Sequence, residues 1–262
     1  MVSDPIHVIS LGAGVQSSTL ALMAAAGDIT PMPVAAIFAD TKGEPKAVYE
    51  WLDKLSSLLP FPVERVCAGS LQEKSLAPYY SRKNRKIAIM GLPAHTTDGI
   101  MMRQCTSQFK THPINKVITS LMKRHKTRRC VKWIGISLDE AHRMKPSWRP
   151  NVTHRWPLVD LRMKRWDCLL WMERHGYPKP PKSACFFCPF QSNRQWKGLS
   201  PEEFMAAVRF ERELQDVYQK INLPRPYLHP SKMPLEEVDF RTDEDHGQGL
   251  LFGNECEGHC GV

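Results

Sequence analysis

The stretch that decides the fold lies near the N-terminus and reads "IHVISLGAGVQSSTLALMAAAG", residues 6–27. Its first six residues are mostly apolar and β-branched and are followed by turn residues, the pattern of a buried strand. Gly12, Ala13 and Gly14 make a turn. Residues 15–26 then read as a helix closed by Gly27. Strand, glycine turn and helix in that order form the opening of a parallel β-α-β unit.

The alternation continues downstream. "PVAAIFADT" (33–41) reads as a second buried strand ending in a carboxylate, "PKAVYEWLDKLSSLL" (45–59) as an amphipathic helix and "PVERVCA" (62–68) as a third strand. Residues 70–104 are less regular and basic. "THPINKVITSLMKRH" (111–125) predicts a helix, "CVKWIGIS" (130–137) a strand and "RWDCLLWMERHG" (165–176) a helix. The fold class is therefore α/β: a doubly wound, mostly parallel sheet with helices on both faces. "SPEEFMAAVRFERELQDVYQK" (200–220) has the clearest helical signature, with Ser200 as N-cap, Pro201 in the first turn and Glu203 completing a capping box. After Pro224 the chain is proline- and charge-rich and reads as an extended tail ending in "NECEGHCGV". The expected division is an α/β domain over residues 1–198 and a C-terminal helix with a flexible cysteine tail over 199–262.

Composition narrows the partners. The chain has 262 residues, a formal net charge of +9 and eight cysteines. A basic balance favours polyanionic ligands such as nucleotides, nucleic acid or phosphate-rich substrates, although solubility alone also accounts for it. No apolar run approaches the length that spans a bilayer, and no charged-then-apolar leader opens the chain, so a cytoplasmic protein without membrane partners is expected. In a reducing compartment, closely spaced cysteines point to metal binding or catalysis rather than disulfides.

Six features carry chemistry. A glycine turn leading into a helix presents free backbone N–H groups and the positive end of the helix dipole, which suits phosphate or sulfate. Ser10, Gly12, Ala13, Gly14, Gln16, Ser17 and Ser18 supply the small and polar groups there. It is neither the Gly-Lys-Ser/Thr phosphate loop nor the Gly-x-Gly-x-x-Gly fingerprint. Asp40-Thr41 stands at the ligand-bearing end of the second strand, as a nucleotide or cation contact or as a local turn aspartate. Arg103 and Lys110 bracket Cys105, and neighbouring cations favour thiolate. "ACFFCPF" (184–190) places Cys185 and Cys188 at C-x-x-C spacing, able to share one metal or one redox couple. "GISLDEAHRMKPSWR" (135–149) offers Gly135, Glu140 and Arg143 in a mixed-charge cluster suited to clamping anions. Cys256 and Cys260 lie on a glycine-bearing terminus, where a thiol can reach into a site or complete a metal centre. The basic runs "KRHKTRR" (123–129) and "RMKR" (162–165) suit solvated faces or a nucleic-acid groove, with Trp133, Trp148 and Trp156 as packing residues or stacking surfaces.

Taken in order, these features resemble the phosphoadenosine phosphosulfate (PAPS) reductase family of the adenine-nucleotide alpha-hydrolase or PP-loop ATP-pyrophosphatase superfamily. The resemblance runs through "SLGAGVQSS", "IFADTKGEPKAVYEWL", "RQCTSQFKTHPI", "GISLDEAHR", "HRWPLVDLRMKRWDCLLWM", "CFFCP" and "NECEGHC". It implies an adenine nucleotide (PAPS, APS or ATP) on the loop, with Asp40 and Thr41 flanking the adenosine and Arg103, Lys110 and Arg143 neutralising the anion. It implies an iron–sulfur cluster on Cys105, Cys185 and Cys188, with Cys256 or Cys260 as fourth ligand or as the sulfur nucleophile; zinc is the alternative metal. A thiol reductant such as thioredoxin and, if ATP is used, Mg2+ follow from the same resemblance. Departures matter: Val15 and Gln16 replace the Lys-Asp pair of the ATP-hydrolysing branch, Ser137 replaces an arginine, and Thr106 follows Cys105 where iron–sulfur reductases have a second cysteine. The loop is thus better suited to holding phosphate or sulfate than to cleaving ATP. Two further readings remain open beside reduction of an adenylyl sulfate: ATP-dependent thiolation of tRNA or DNA, and a non-catalytic nucleotide-binding protein with structural zinc.

Overall fold

A computed structural model describes residues 4–81, 86–88 and 91–242. In chain order the main elements are β1 (Ile6–Leu11), α1 (Val15–Ala26), β2 (Ala35–Asp40), α2 (Lys46–Leu58) and β3 (Val63–Cys67), then α3 (His112–Arg124), β4 (Cys130–Ile134), β5 (Val152–Arg155), α4 (Arg165–Arg174) and α5 (Pro201–Lys220). The five strands form one sheet in the order β3-β2-β1-β4-β5, with every pairing parallel. Register is set by Val8↔Ala35 on one side of β1 and Val8↔Lys132 on the other.

Helices cover both faces, and strand alternation shows why. Ile9 and Leu11 point into a core with α1, α2 and α4, built from Leu20, Leu22, Trp51, Leu52 and Trp133. Ile6 and Val8 point the other way, onto Ile114, Ile118 and Leu121 of α3. Side chains two apart share a face, so one apolar run feeds two cores. α1 is buried on more than one side, consistent with its nearly uniform apolar composition.

A third core lies beside the sheet. There α5 packs Ala207, Val208, Phe210 and Leu214 against Phe187, Trp196 and the C-x-x-C segment. The stretch after Pro224, expected to be an extended tail, departs from that reading up to Phe240. Leu228 and Leu235 are fully buried, and the Glu211 carboxylate of α5 accepts the backbone N–H of both, each at 2.8 Å. Two buried leucines and two charge-assisted hydrogen bonds outweigh the prolines' lack of regular structure. The strand expected over 130–137 stops at Ile134, because Gly135 turns the chain into a 3-10 turn at Leu138–Arg143. No helix among the described residues is long and apolar enough to cross a membrane.

Candidate functional site

The sheet order reverses between β1 and β4, the place where open α/β sheets hold ligands beyond their strand ends. A cavity of about 330 Å³ opens there. One wall is the glycine turn. Ala13 adopts φ 59°, and Gly14 caps α1 in an extended conformation with no side chain engaged. Ser17 Oγ accepts the Gly12 N–H at 3.2 Å and donates to the Gly14 carbonyl, holding the turn closed on the first turn of the helix. The end of β4 crosses it closely: a Cβ on Gly135 would stand 2.8 Å from the Ser17 backbone nitrogen. Only glycine fits that crossing without displacement.

Gln16 organises the polar floor. Its amide nitrogen donates to Glu140 at 3.3 Å and to Ser137 at 3.4 Å, and its oxygen accepts from Arg165 at 3.1 Å. Glu140 in turn pairs with Arg143 at 2.7 Å. The position that holds an acid in the ATP-hydrolysing pattern thus carries an amide that links two arginines to one carboxylate. Lys110 enters from the other side, 3.7 Å from the buried Glu44 carboxylate, which also accepts from Ser183 at 3.1 Å. Lys132, Lys145 and Lys182 line the same space. Cations outnumber the two carboxylates, and each carboxylate is already paired, so the cavity favours an anion.

A second, smaller cavity of about 30 Å³ adjoins the first and shares Thr106 and Lys110 with it. Its walls include Cys105, Cys185 and Cys188 together with Thr41 and Arg103. Residues distant in sequence meet here for local reasons. Cys105 starts a π-helical turn, Thr106–Thr111, that runs into α3; such turns recur at functional sites. The loop after β2 zips onto the C-x-x-C segment at three points. Thr41 Oγ1 lies 3.2 Å from Cys185 Sγ, the Gly43 carbonyl accepts the Phe186 N–H at 2.8 Å, and Glu44 holds Ser183. A Cβ on Gly43 would stand 2.6 Å from the Phe187 ring, so glycine permits the contact. Among the described residues, no three His, Cys, Asp or Glu side chains are already drawn to metal-holding spacing.

The remaining described cysteines differ in kind. Burial pushes the thiols of Cys130 and Cys168 up to about 12, which keeps both protonated and inert. Cys67 is exposed.

No family model matches the chain, and no curated protein does. Among solved structures it is similar to a phosphoadenylyl-sulfate (PAPS) reductase from Candida auris in its phosphate complex, with 12% identity and a TM-score of 0.44 over 68% of this chain and 76% of that one. It is also similar to the U34-tRNA thiolase NcsA from Methanococcus maripaludis with its 4Fe-4S cluster, with 16% identity and a TM-score of 0.41 over 81% of this chain and 74% of that one.

Of the residues expected at the nucleotide loop, Ser10, Gly12, Gly14, Gln16 and Ser17 line the larger cavity, as do Gly135, Glu140, Lys110 and Arg143. Ala13 and Ser18 do not: Ala13 is packed in the core, and Ser18 accepts a hydrogen bond from Trp51 at 2.9 Å. Asp40 is also outside the cavity. Its oxygens are taken by the Lys42 N–H at 2.7 Å, the Lys42 ammonium at 2.8 Å and the Tyr49 hydroxyl at 2.8 Å. Burial works to raise its pKa, but these partners hold the carboxyl below the usual range. Thr41 and Arg103 belong to the cysteine cavity, where Arg103 stacks 5.7 Å over Phe190. Cys256 and Cys260 lie outside the described residues. Glu44, Lys132, Arg165, Lys182 and Ser183 were not singled out from sequence. Only the adjacency of Lys182-Ser183 to the C-x-x-C, and Arg165 within a basic run, offered a signal.

Proposed function

We propose that this chain is an enzyme that binds an adenine nucleotide in the larger cavity and performs cysteine-dependent sulfur chemistry where the two cavities meet. The observation that carries the reading is that junction: an anion-favouring cavity at the glycine turn continues into one lined by three cysteines, with Lys110 and Thr106 common to both. The nucleotide's phosphate or sulfate sits against the glycine turn and the N-terminal turn of α1, residues 12–17. Arg143, Arg165 and Lys110 balance its charge, and the Gln16–Glu140 link keeps both arginines oriented.

Cys105, Cys185 and Cys188 are a thiol donor set suited to a soft metal centre, and an iron–sulfur cluster is the centre best matched to sulfur chemistry, with zinc as the alternative. Bound there, such a centre would be held by the thiolates of Cys105, Cys185 and Cys188 and would supply a sulfur-ligated iron site beside Lys110. The favoured reaction is reduction of an adenylyl sulfate. A thiolate of Cys256 or Cys260 attacks the sulfur and displaces the nucleotide phosphate, giving a protein thiosulfonate. An external dithiol, of the thioredoxin class, then attacks the cysteine sulfur, releases sulfite and leaves as the disulfide after its second thiol resolves the mixed intermediate. Sulfite release from adenylyl sulfate, with a dithiol present, tests this. Full release by the Cys256→Ser, Cys260→Ser double variant contradicts the mechanism.

A second reading has its own support. Trp148 is 73% exposed at the rim of the larger cavity, beside Lys145 and Arg149, an arrangement suited to stacking a base of a single-stranded nucleic acid. In that reading ATP activates a nucleic-acid base and a sulfur atom held at the cysteines replaces its oxygen. Salt-dependent binding of tRNA that is weakened by Trp148→Ala supports it; salt-independent or absent binding counts against it.

A further inference from the structure

The lining of the larger cavity includes Lys132 of β4 and, on the paired strand β5, His154, as well as the glycine turn. The part at Lys132 and His154 is termed its inner arm. Lys132 forms its base. Its Cα lies three residues before Gly135, roughly 10 Å deeper along the strand. Lys132 is 9% exposed and lines the cavity, yet among the described residues no hydrogen bond or ion pair reaches its ammonium. A buried charge with no partner is costly, and proteins usually keep one only where it meets a ligand.

The neighbours sharpen the point. On the paired strand His154 sits directly across from Lys132. The His154 Nδ1 donates to the Lys145 carbonyl at 2.8 Å, which leaves Nε2 as the second polar atom of the ring. Burial first, then the Lys132 charge, hold that imidazole below its usual pKa. Arg149 faces Lys132 with like charge but spends its guanidinium on the Asn115 carbonyl and the Thr119 hydroxyl of α3. Cys130, on the same strand, is protonated. Among the described residues no carboxylate acts on Lys132, and the two that line the cavity, Glu140 and Glu44, are paired with Arg143 and Lys110. Ile114 and Ser147 also line the cavity.

We propose that this inner arm is a second anion subsite, built on Lys132 and flanked by His154, for a compact oxyanion of the sulfate or phosphate class. The cavity then accepts a ligand, or a pair of ligands, presenting two separate anionic groups: one at the glycine turn and one above β4 and β5. The subsite stands independently of whether the glycine turn holds a nucleotide.

Burial and the nearby Arg149 lower the Lys132 pKa to about 8. An anion seated beside it raises that value again, so binding takes up a proton at high pH. Sulfate is the probe because it does not titrate in this range. Calorimetric titration of the full chain with sodium sulfate, at constant ionic strength from about pH 6.5 to about 9.5, reads the linkage. Affinity is expected to fall by up to about tenfold per pH unit above pH 8. Lys132→Arg, which stays charged throughout, retains binding and loses the fall. Lys132→Met, of similar length, loses the pH-dependent event. Wild-type affinity and pH profile in a folded Lys132→Met protein overturn the subsite, as does a wild-type profile that matches Lys132→Arg across the window. Adenine-nucleotide titration of Lys132→Arg scores the nucleotide reading separately, since a null result there leaves the sulfate result standing.

Discussion

Gly135 sits where the end of β4 passes over the first turn of α1, and the absence of its side chain sets the shape of the glycine turn. Adding one methyl places a carbon 2.8 Å from the Ser17 Cα and backbone nitrogen, groups that cannot swing aside. Gly135→Ala is therefore expected to shift the loop, cost about 1–3 kcal/mol of stability and weaken anion binding at residues 12–17. Thermal unfolding and nucleotide titration on the same preparation check both, and unchanged affinity contradicts the loop's role. Asp40 makes a different prediction. Its folded pKa lies below the usual value of 3.8, because the bonds from Lys42 and Tyr49 outweigh the effect of burial. A depressed carboxylate contributes stability above its unfolded pKa and loses it as pH falls through the folded one. Asp40→Asn is thus destabilising near neutrality, and its gap from wild type closes in acid below about pH 4. Because the buried Asp40 is spent on Lys42 and Tyr49, the same variant should leave nucleotide affinity within about twofold.

At the scale of elements, α5 is more than an appended helix. Glu211 joins it to the segment ending at Phe240, and both carboxylate oxygens are used by backbone N–H groups that water cannot reach. Burial raises the Glu211 pKa despite those bonds; the stability tied to its protonation is present at low pH and fades as pH rises through the folded value. Glu211→Gln offers one acceptor where two are needed, leaves an N–H unpaired and is expected to cost about 1–3 kcal/mol. Limited proteolysis between residues 224 and 240 should accelerate in that variant; an unchanged cleavage rate contradicts the clamp. This contact was not legible in the sequence, because a lone glutamate on an amphipathic helix gives no sign of which backbone it serves. By contrast β1, α1 and α5 could be read closely: an apolar run, a glycine at each end and a Ser-x-x-Glu capping box are local signals. β5 has only four residues and no alternation, so it could not be read. The candidate site divides the same way. The glycine loop and the C-x-x-C are local patterns. The zipper of Thr41, Gly43 and Glu44 onto residues 183–186, and the isolation of Lys132, exist only once β2 and β4 are placed beside their neighbours.

For the whole molecule, the sheet's reversal point and the third core bring the cavity at the glycine turn beside the three cysteines. Anaerobically purified protein is expected to carry iron and acid-labile sulfide with a brown absorbance, and Cys185→Ser to lose both; stoichiometric zinc without iron retires the cluster while leaving the cysteine cavity as a metal site. Beneath that lies the more basic claim, that the cavity at the glycine turn holds an adenine nucleotide. Calorimetric titration of the anaerobic full chain with adenylyl sulfate, AMP and ATP tests it most directly. At least one should bind with a dissociation constant in the range of about 1 μM to 1 mM typical of enzyme substrates, with affinity reduced at least about tenfold in a folded Gly135→Ala variant. Absence of binding by all three at millimolar concentration contradicts the account.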